Sequence, residues 1–294
     1  MPNLLESDKL LNDWIDILKD YITHVMGINT SKINHDADMW LANRMHRLPR
    51  INPRKIWLSD VFKCPEELEL GWLNLKNKIE SGDDLEPHLS RGINRLDDKD
   101  GMLSHWGVNH FHLGIEKDLK HPNLVQGGKS ILYAILDDDN FYAISILGHG
   151  HWEDVNLLDV TKRNWPNMIF FNHSLKEISP SFDDDFLFNS RKNNFNTVTR
   201  LNDDSFFISH GVTVAGTSTM SAFKACHVRR IWGGIQFQVE EILSKDNLSE
   251  NKLDASLILN EDKSTFSVYL PQLNRKINVD EKITIQNLIN SFRS

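Results

Sequence analysis

Cysteine is nearly absent from this chain: Cys64 and Cys226 are the only two among 294 residues. They stand at no metal-ligand spacing, and with no export signal in view a disulfide is not expected. No apolar run approaches the roughly 18 residues that would span a bilayer. The N-terminus lacks the basic stretch and apolar core of a secretory signal. The expected compartment is therefore the cytoplasm, with no membrane partner. Excess positive charge is missing too. A formal net charge of −8 argues against nonspecific nucleic-acid binding by the whole molecule, though not against a local basic patch. There is no internal repeat and no low-complexity tract. The remaining composition, 40% hydrophobic and 25% charged, fits a globular protein with room for one large domain or two ordinary ones.

Against these absences, histidine is abundant and unevenly placed. Six of the thirteen fall between residues 105 and 152, five of them in the segments His105-Trp106-Gly107-Val108-Asn109-His110-Phe111-His112-Leu113-Gly114 and Leu147-Gly148-His149-Gly150-His151-Trp152. Each segment holds a His-x-His pair. On a strand, side chains two apart share a face, so each pair is expected to present two imidazoles together. Between them Ile131 to Leu136 and Phe141 to Leu147 read as a β-hairpin turning on Asp137-Asp138-Asp139-Asn140.

The rest of the chain reads as α+β. Leu10, Leu11, Trp14, Ile15, Leu18 and Ile22 recur at helical spacing over 8–26, with Ser7 as the expected N-cap and Gly27 as the stop. A second helix is expected over 65–80, with Pro65 at its start and Leu68, Trp72, Leu75 and Ile79 in one stripe. Residues 28–60 are less regular but carry Arg44, Arg47, Arg50, Arg54 and Lys55 without an intervening acid. Guanidinium groups bind phosphate in a bidentate fork, so this run is a candidate phosphate-contacting patch; a solvated face is the plainer reading. Toward the C-terminus, a strand is expected over 205–215, a helix over 219–243, two strands over 254–279 and a last helix over 281–293. The expected organisation is N-terminal helices packed on a small antiparallel sheet that bears the histidines (1–175), a linker or long loop (176–199), and a second α+β lobe (200–294).

Three chemistries suit the histidine stretch. Imidazoles titrating near neutrality can divide the proton transfers of RNA cleavage through the 2′-hydroxyl, with a cation to stabilise the phosphorane. His110, His112, His149 and His151 are the candidates, with Arg91, Lys129, Arg44 and Arg47 as phosphate contacts; neither metal nor cofactor is needed. Alternatively, the same imidazoles hold a transition metal. In a third reading the protein binds without catalysis, and Trp106 and Trp152 line a groove that stacks a base or flat ligand.

Resemblances bear on the first two chemistries. Gly82-Asp83-Asp84-Leu85, Pro87-His88-Leu89-Ser90-Arg91, Asp100, Trp106-Gly107, His110 to Gly114, Ile131 to Ala134 and His149-Gly150 together resemble a pattern recurring in a family of uncharacterised bacterial proteins. The order of helices, strand and hairpin, with Lys129 to Ile135 and Tyr142 to Leu147 as its last two strands, is similar to RelE-type toxin nucleases. That likeness implies a toxin-like or defence-related ribonuclease with RNA as its partner and an antitoxin or other regulatory protein as a second. His110-x-His112 followed by Glu116 resembles the first motif of the cupins. It implies His110, His112, Glu116 and His149 as metal ligands, although the Pro-x-Gly turn of the second cupin motif is missing before His149.

Overall fold

The structure is a computed structural model that describes residues 4–33, 35–150, 154–168, 171–172, 186, 189–190, 192–245 and 252–293. It is of the α+β class, with helices preceding and flanking three small sheets. Two compact units are present, and they are not consecutive in sequence. One comprises residues 1–45 and 220–294, the other residues 46–219. The division expected around 176–199 assigns the first helix to the histidine-bearing sheet. In the structure that helix belongs with the C-terminal elements, because its apolar stripe is buried there. Much of the expected linker (176–185, 187–188 and 191) lies outside the described residues.

In the discontinuous unit, α1 (Lys9–His24) buries Leu10, Trp14, Ile15, Leu18 and Ile22, the stripe its helical spacing predicts. Asp8, in the left-handed region at φ 56°, occupies the N-cap position expected for Ser7, and no side chain caps the helix. α1 lies against β8 (Ser256–Leu259), which pairs antiparallel with β9 (Phe266–Leu270), itself paired with β10 (Arg275–Asn278). Asp13 accepts from the Leu257 amide at 2.8 Å, and the Leu4 carbonyl accepts from Leu253 at 2.7 Å. Trp14 from α1, Trp232 from α6 (Thr219–Lys245) and Phe266 from β9 form a fully buried aromatic triad, with centroids 5.1–5.9 Å apart. A short helix missed by periodicity, α2 (Ala37–His46), is fixed by a charge. Asp38 is wholly buried, and Arg229 of α6 grips both its carboxylate oxygens at 2.7 Å while also reaching Asp36 at 2.9 Å.

The second unit, 46–219, carries a four-stranded sheet in the order β1-β4-β3-β2. Its strands are β1 (Lys55–Leu58), β2 (Asn109–His112), β3 (Ser130–Leu136) and β4 (Asn140–Gly148). After α5 (Asn156–Asn164), the same unit holds a three-stranded sheet of β5 (Phe171–Asn172), β6 (Val198–Arg200) and β7 (Phe206–Ile208), in the order β5-β7-β6. The hairpin forms as expected, and Asp137 accepts from the amides of Asp139 and Asn140 across its turn. β1, unforeseen in the sequence, runs parallel to β4 at the sheet edge. The core of the unit includes Ile131, Tyr133, Ile135 and Ile144 with Trp106, Val108, Leu158 and Phe207. α3 (Glu69–Ser81) follows a short 3-10 turn after Pro65 and ends at Gly82 in the left-handed region. It packs so closely that a Cβ on its Gly71 would overlap the Leu113 carbonyl just past β2.

Breaking a buried charge pair strands the remaining ion, a cost of about 3–5 kcal/mol. Arg229→Ala is therefore expected to destabilise the discontinuous unit by about that amount in urea unfolding. A loss below about 1 kcal/mol would mean that Asp38 finds another partner.

Candidate functional site

Strand register brings the two histidine segments together. β3 lies between β2 and β4, pairing His112 with Ile131 and Ile131 with Leu147. One step on, Ser130 pairs with Gly148, and the His149 amide extends the ladder to the Lys129 carbonyl at 3.1 Å. His112 and His149 thereby meet across the end of β3, their ring centroids 5.6 Å apart. The glycine after the first pair serves this geometry. A Cβ on Gly114 would overlap the Gln126 carbonyl, on the segment that leads to Gly127 and Gly128.

These two imidazoles line a cleft of about 430 Å³, which also presents Arg91, Arg95, Asp98 and Asp118 beside Leu89, Leu124 and Val125. A volume of that order suits a small-molecule ligand or one nucleotide unit. Arg91 donates through Nε and Nη2 to Asp118 at 3.1 and 2.6 Å, yet its side chain stays 60% exposed while Asp118 is buried. That pairing holds the Asp118 carboxyl down at about 2, helped by amides of Lys120 and His121. Arg95 donates through Nη2 alone to Asp98 and is also exposed. Each arginine is thus oriented by an acid without being covered by it, an arrangement suited to contact a bound anion.

His112 is buried, 8% exposed. Burial, followed by the nearby His110, His149 and Arg91, pushes its pKa down to about 4, so the ring is neutral at pH 7. Gly127 lies over it; a Cβ there would stand 3.4 Å from Cε1 and 3.5 Å from Nδ1. Among the described residues Nδ1 has no hydrogen-bond partner. His149 is exposed and holds its Nε2 3.0 Å from the Gly128 carbonyl. Beneath β2, buried His88 donates from Nδ1 to the His112 carbonyl at 2.9 Å.

Other candidates go elsewhere. His110 shares β2 with His112, ring centroids 6.4 Å apart, but lines a separate small cavity of about 20 Å³ with Arg47, Asp98 and Asp100. Its Nδ1 stands 3.5 Å from Asp100, whose other oxygen caps α4 (Gly101–Trp106) at the Leu103 amide. Trp106 is buried in the core at 1% exposure, so it offers no stacking face. Arg47 is buried as well. It donates to the carbonyls of Gly92 and Arg95 at 3.0 and 2.7 Å and to Asp98 at 3.3 Å, which makes it the tie of the loop carrying Arg91 and Arg95. Arg44 is likewise buried, as is Arg54, whereas Arg50 and Lys55 of the same basic run are exposed. Lys129 is exposed, but its side chain does not line the cleft. His151 and Trp152 lie outside the described residues. Glu116 is exposed, and among the described residues no group of three His, Cys, Asp or Glu side chains is placed to hold a metal ion.

Arg95, Asp98 and Asp118 were not legible as site residues. Asp98 sits in a run of acids, Asp97-Asp98-Lys99-Asp100, that reads as a solvated loop. Comparison of the chain with family models, with curated proteins and with solved structures finds no match.

The lowered pKa of His112 has a consequence for stability. Between about 4 and 6.5 the unfolded chain binds a proton that the folded ring refuses. This contribution is complete above pH 6.5 and is lost as pH falls toward 4. The Tm is expected to drop across that window, with a shallower drop in His112→Asn. An unchanged slope in the variant would contradict a buried neutral ring.

Proposed function

We propose that the cleft at the end of β3 cleaves RNA at a phosphodiester, through the 2′-hydroxyl and without a cofactor. The observation that carries this reading is the convergence of two imidazoles, His112 and His149, with two exposed guanidinium groups, Arg91 and Arg95, in one cleft of nucleotide size. Transesterification requires a proton to leave the 2′-oxygen, a proton to reach the departing 5′-oxygen, and donors for the charge that builds on phosphorus. Imidazole supplies the proton-transfer group. Arg91 and Arg95 supply the donors, each aimed by its carboxylate partner.

The overall negative charge of the chain favours a short contact with single-stranded RNA over a long electrostatic track. An enzyme of this kind has to be restrained in the cell that makes it, so the reading also carries a toxin-like or defence role, a cytoplasmic place of action and a restraining partner protein. Among the described residues no helix is long and apolar enough to cross a membrane.

Purified protein is expected to cut single-stranded RNA in the presence of EDTA, leaving 2′,3′-cyclic phosphate and 5′-hydroxyl ends. Induced expression is expected to arrest growth. His149→Ala or Arg91→Ala should lower the cleavage rate by about 100-fold or more. His110→Ala, in the separate cavity, should lower it far less. RNA left intact by the wild-type chain, with no growth arrest, would end this reading.

A further inference from the structure

We propose that the two imidazoles of the cleft divide their work by tautomer: His149 moves the proton through Nδ1, while His112 stays neutral and donates a hydrogen bond from Nε2 to a phosphate oxygen. This rests on the ribonuclease reading for its reaction, but on hydrogen-bond geometry for its atoms. A carbonyl oxygen only accepts, so the 3.0 Å contact from His149 Nε2 to the Gly128 carbonyl places the proton of the neutral ring on Nε2. The lone pair is then on Nδ1.

Burial decides the tautomer of His112. Nδ1 is enclosed without a partner among the described residues, with Gly127 lying over that edge of the ring. An orphaned buried N–H is rarer and more costly than an under-satisfied acceptor. The neutral ring therefore carries its proton on Nε2, the nitrogen left for the cleft that His112 lines. A neutral imidazole used in this way is a donor to developing charge, not a base.

The step balances with one shuttling proton. His149 Nδ1 takes the 2′-hydroxyl proton as the 2′-oxygen bonds to phosphorus. The bond from phosphorus to the 5′-oxygen then breaks, its electron pair leaves with that oxygen, and Nδ1 returns the proton to it. His112 holds a non-bridging oxygen throughout, and nothing is oxidised or reduced.

Long-range ¹H–¹⁵N spectra of the full chain at pH 7 test the atoms. Both rings are expected as Nε2–H tautomers. Inorganic phosphate is expected to shift His112 Nε2 and His149 Nδ1 while leaving His112 Nδ1 in place. Side-chain replacement tests the roles. His112→Gln, which keeps a donor near the Nε2 position, should retain cleavage within about tenfold, whereas His112→Asn should lose about 100-fold or more. Equal losses in the two variants, or an Nδ1–H tautomer at His112 in a chain that still cleaves RNA, would overturn the division while leaving the ribonuclease reading intact. Both expected tautomers and phosphate shifts with RNA uncut would instead overturn the ribonuclease reading and support the assignment of the phosphate-facing atoms.

Discussion

The site depends on the pairing of β3 with both of its neighbours. Ile131 is hydrogen-bonded into register with His112 on one side and Leu147 on the other, and this fixes where each histidine segment ends. Since side chains alternate along a strand, a slip of one residue between β2 and β3 would send His112 into the opposite layer, and a slip between β3 and β4 would displace the segment that carries His149. Burial resists such a slip: Ile131, Leu132, Tyr133 and Ala134 are all fully buried, so both faces of β3 are committed to the core. Packing beyond the strands maintains the same geometry. Gly71 lets α3 approach the Leu113 carbonyl, and Gly114 lets the 126–128 segment close over His112.

Charge is used inside this protein as much as on its surface. Arg47 and Arg54 are buried and spend their donors largely on backbone carbonyls: Gly92 and Arg95 for the first, Asp137, Arg50 and Asn52 for the second. Arg47 thereby shapes the loop that carries Arg91 and Arg95. Arg54 fastens the hairpin turn to the segment before β1. The cations that face the cleft are two others, each oriented by an acid.

The parts of this arrangement that were legible from sequence were those with a periodic or compositional mark. The stripe of α1, the hairpin with its Asp-rich turn, and the two His-x-His segments all have one. Arg91, a candidate phosphate contact by sequence, lines the cleft. α2 was not legible, because it is enclosed on most sides and has no single apolar stripe; Asp38, Asn43 and Arg44 are buried along with Leu41 and Met45. β1 was not, because four residues pairing in parallel with a strand more than eighty residues later leave no local mark. Trp106, Arg44 and Arg47, candidate ligand contacts by residue type, are buried; residue type does not reveal which side of the surface a side chain occupies. His110 was grouped with His112 by the two-residue period, correctly as to face. That period says nothing about Ser90 and Asp98, which line both the cleft and the small cavity of His110.

The central claim is that His112, His149 and Arg91 converge on one phosphate. Its most direct test is the crystallographic position of the scissile phosphate in a complex with an oligoribonucleotide made uncleavable by a 2′-deoxy substitution. The account predicts that phosphate within hydrogen-bond distance of His112 Nε2 and the Arg91 guanidinium, with the sugar 2′-carbon facing His149. A phosphate bound elsewhere on the chain, with the cleft holding only solvent, would contradict it.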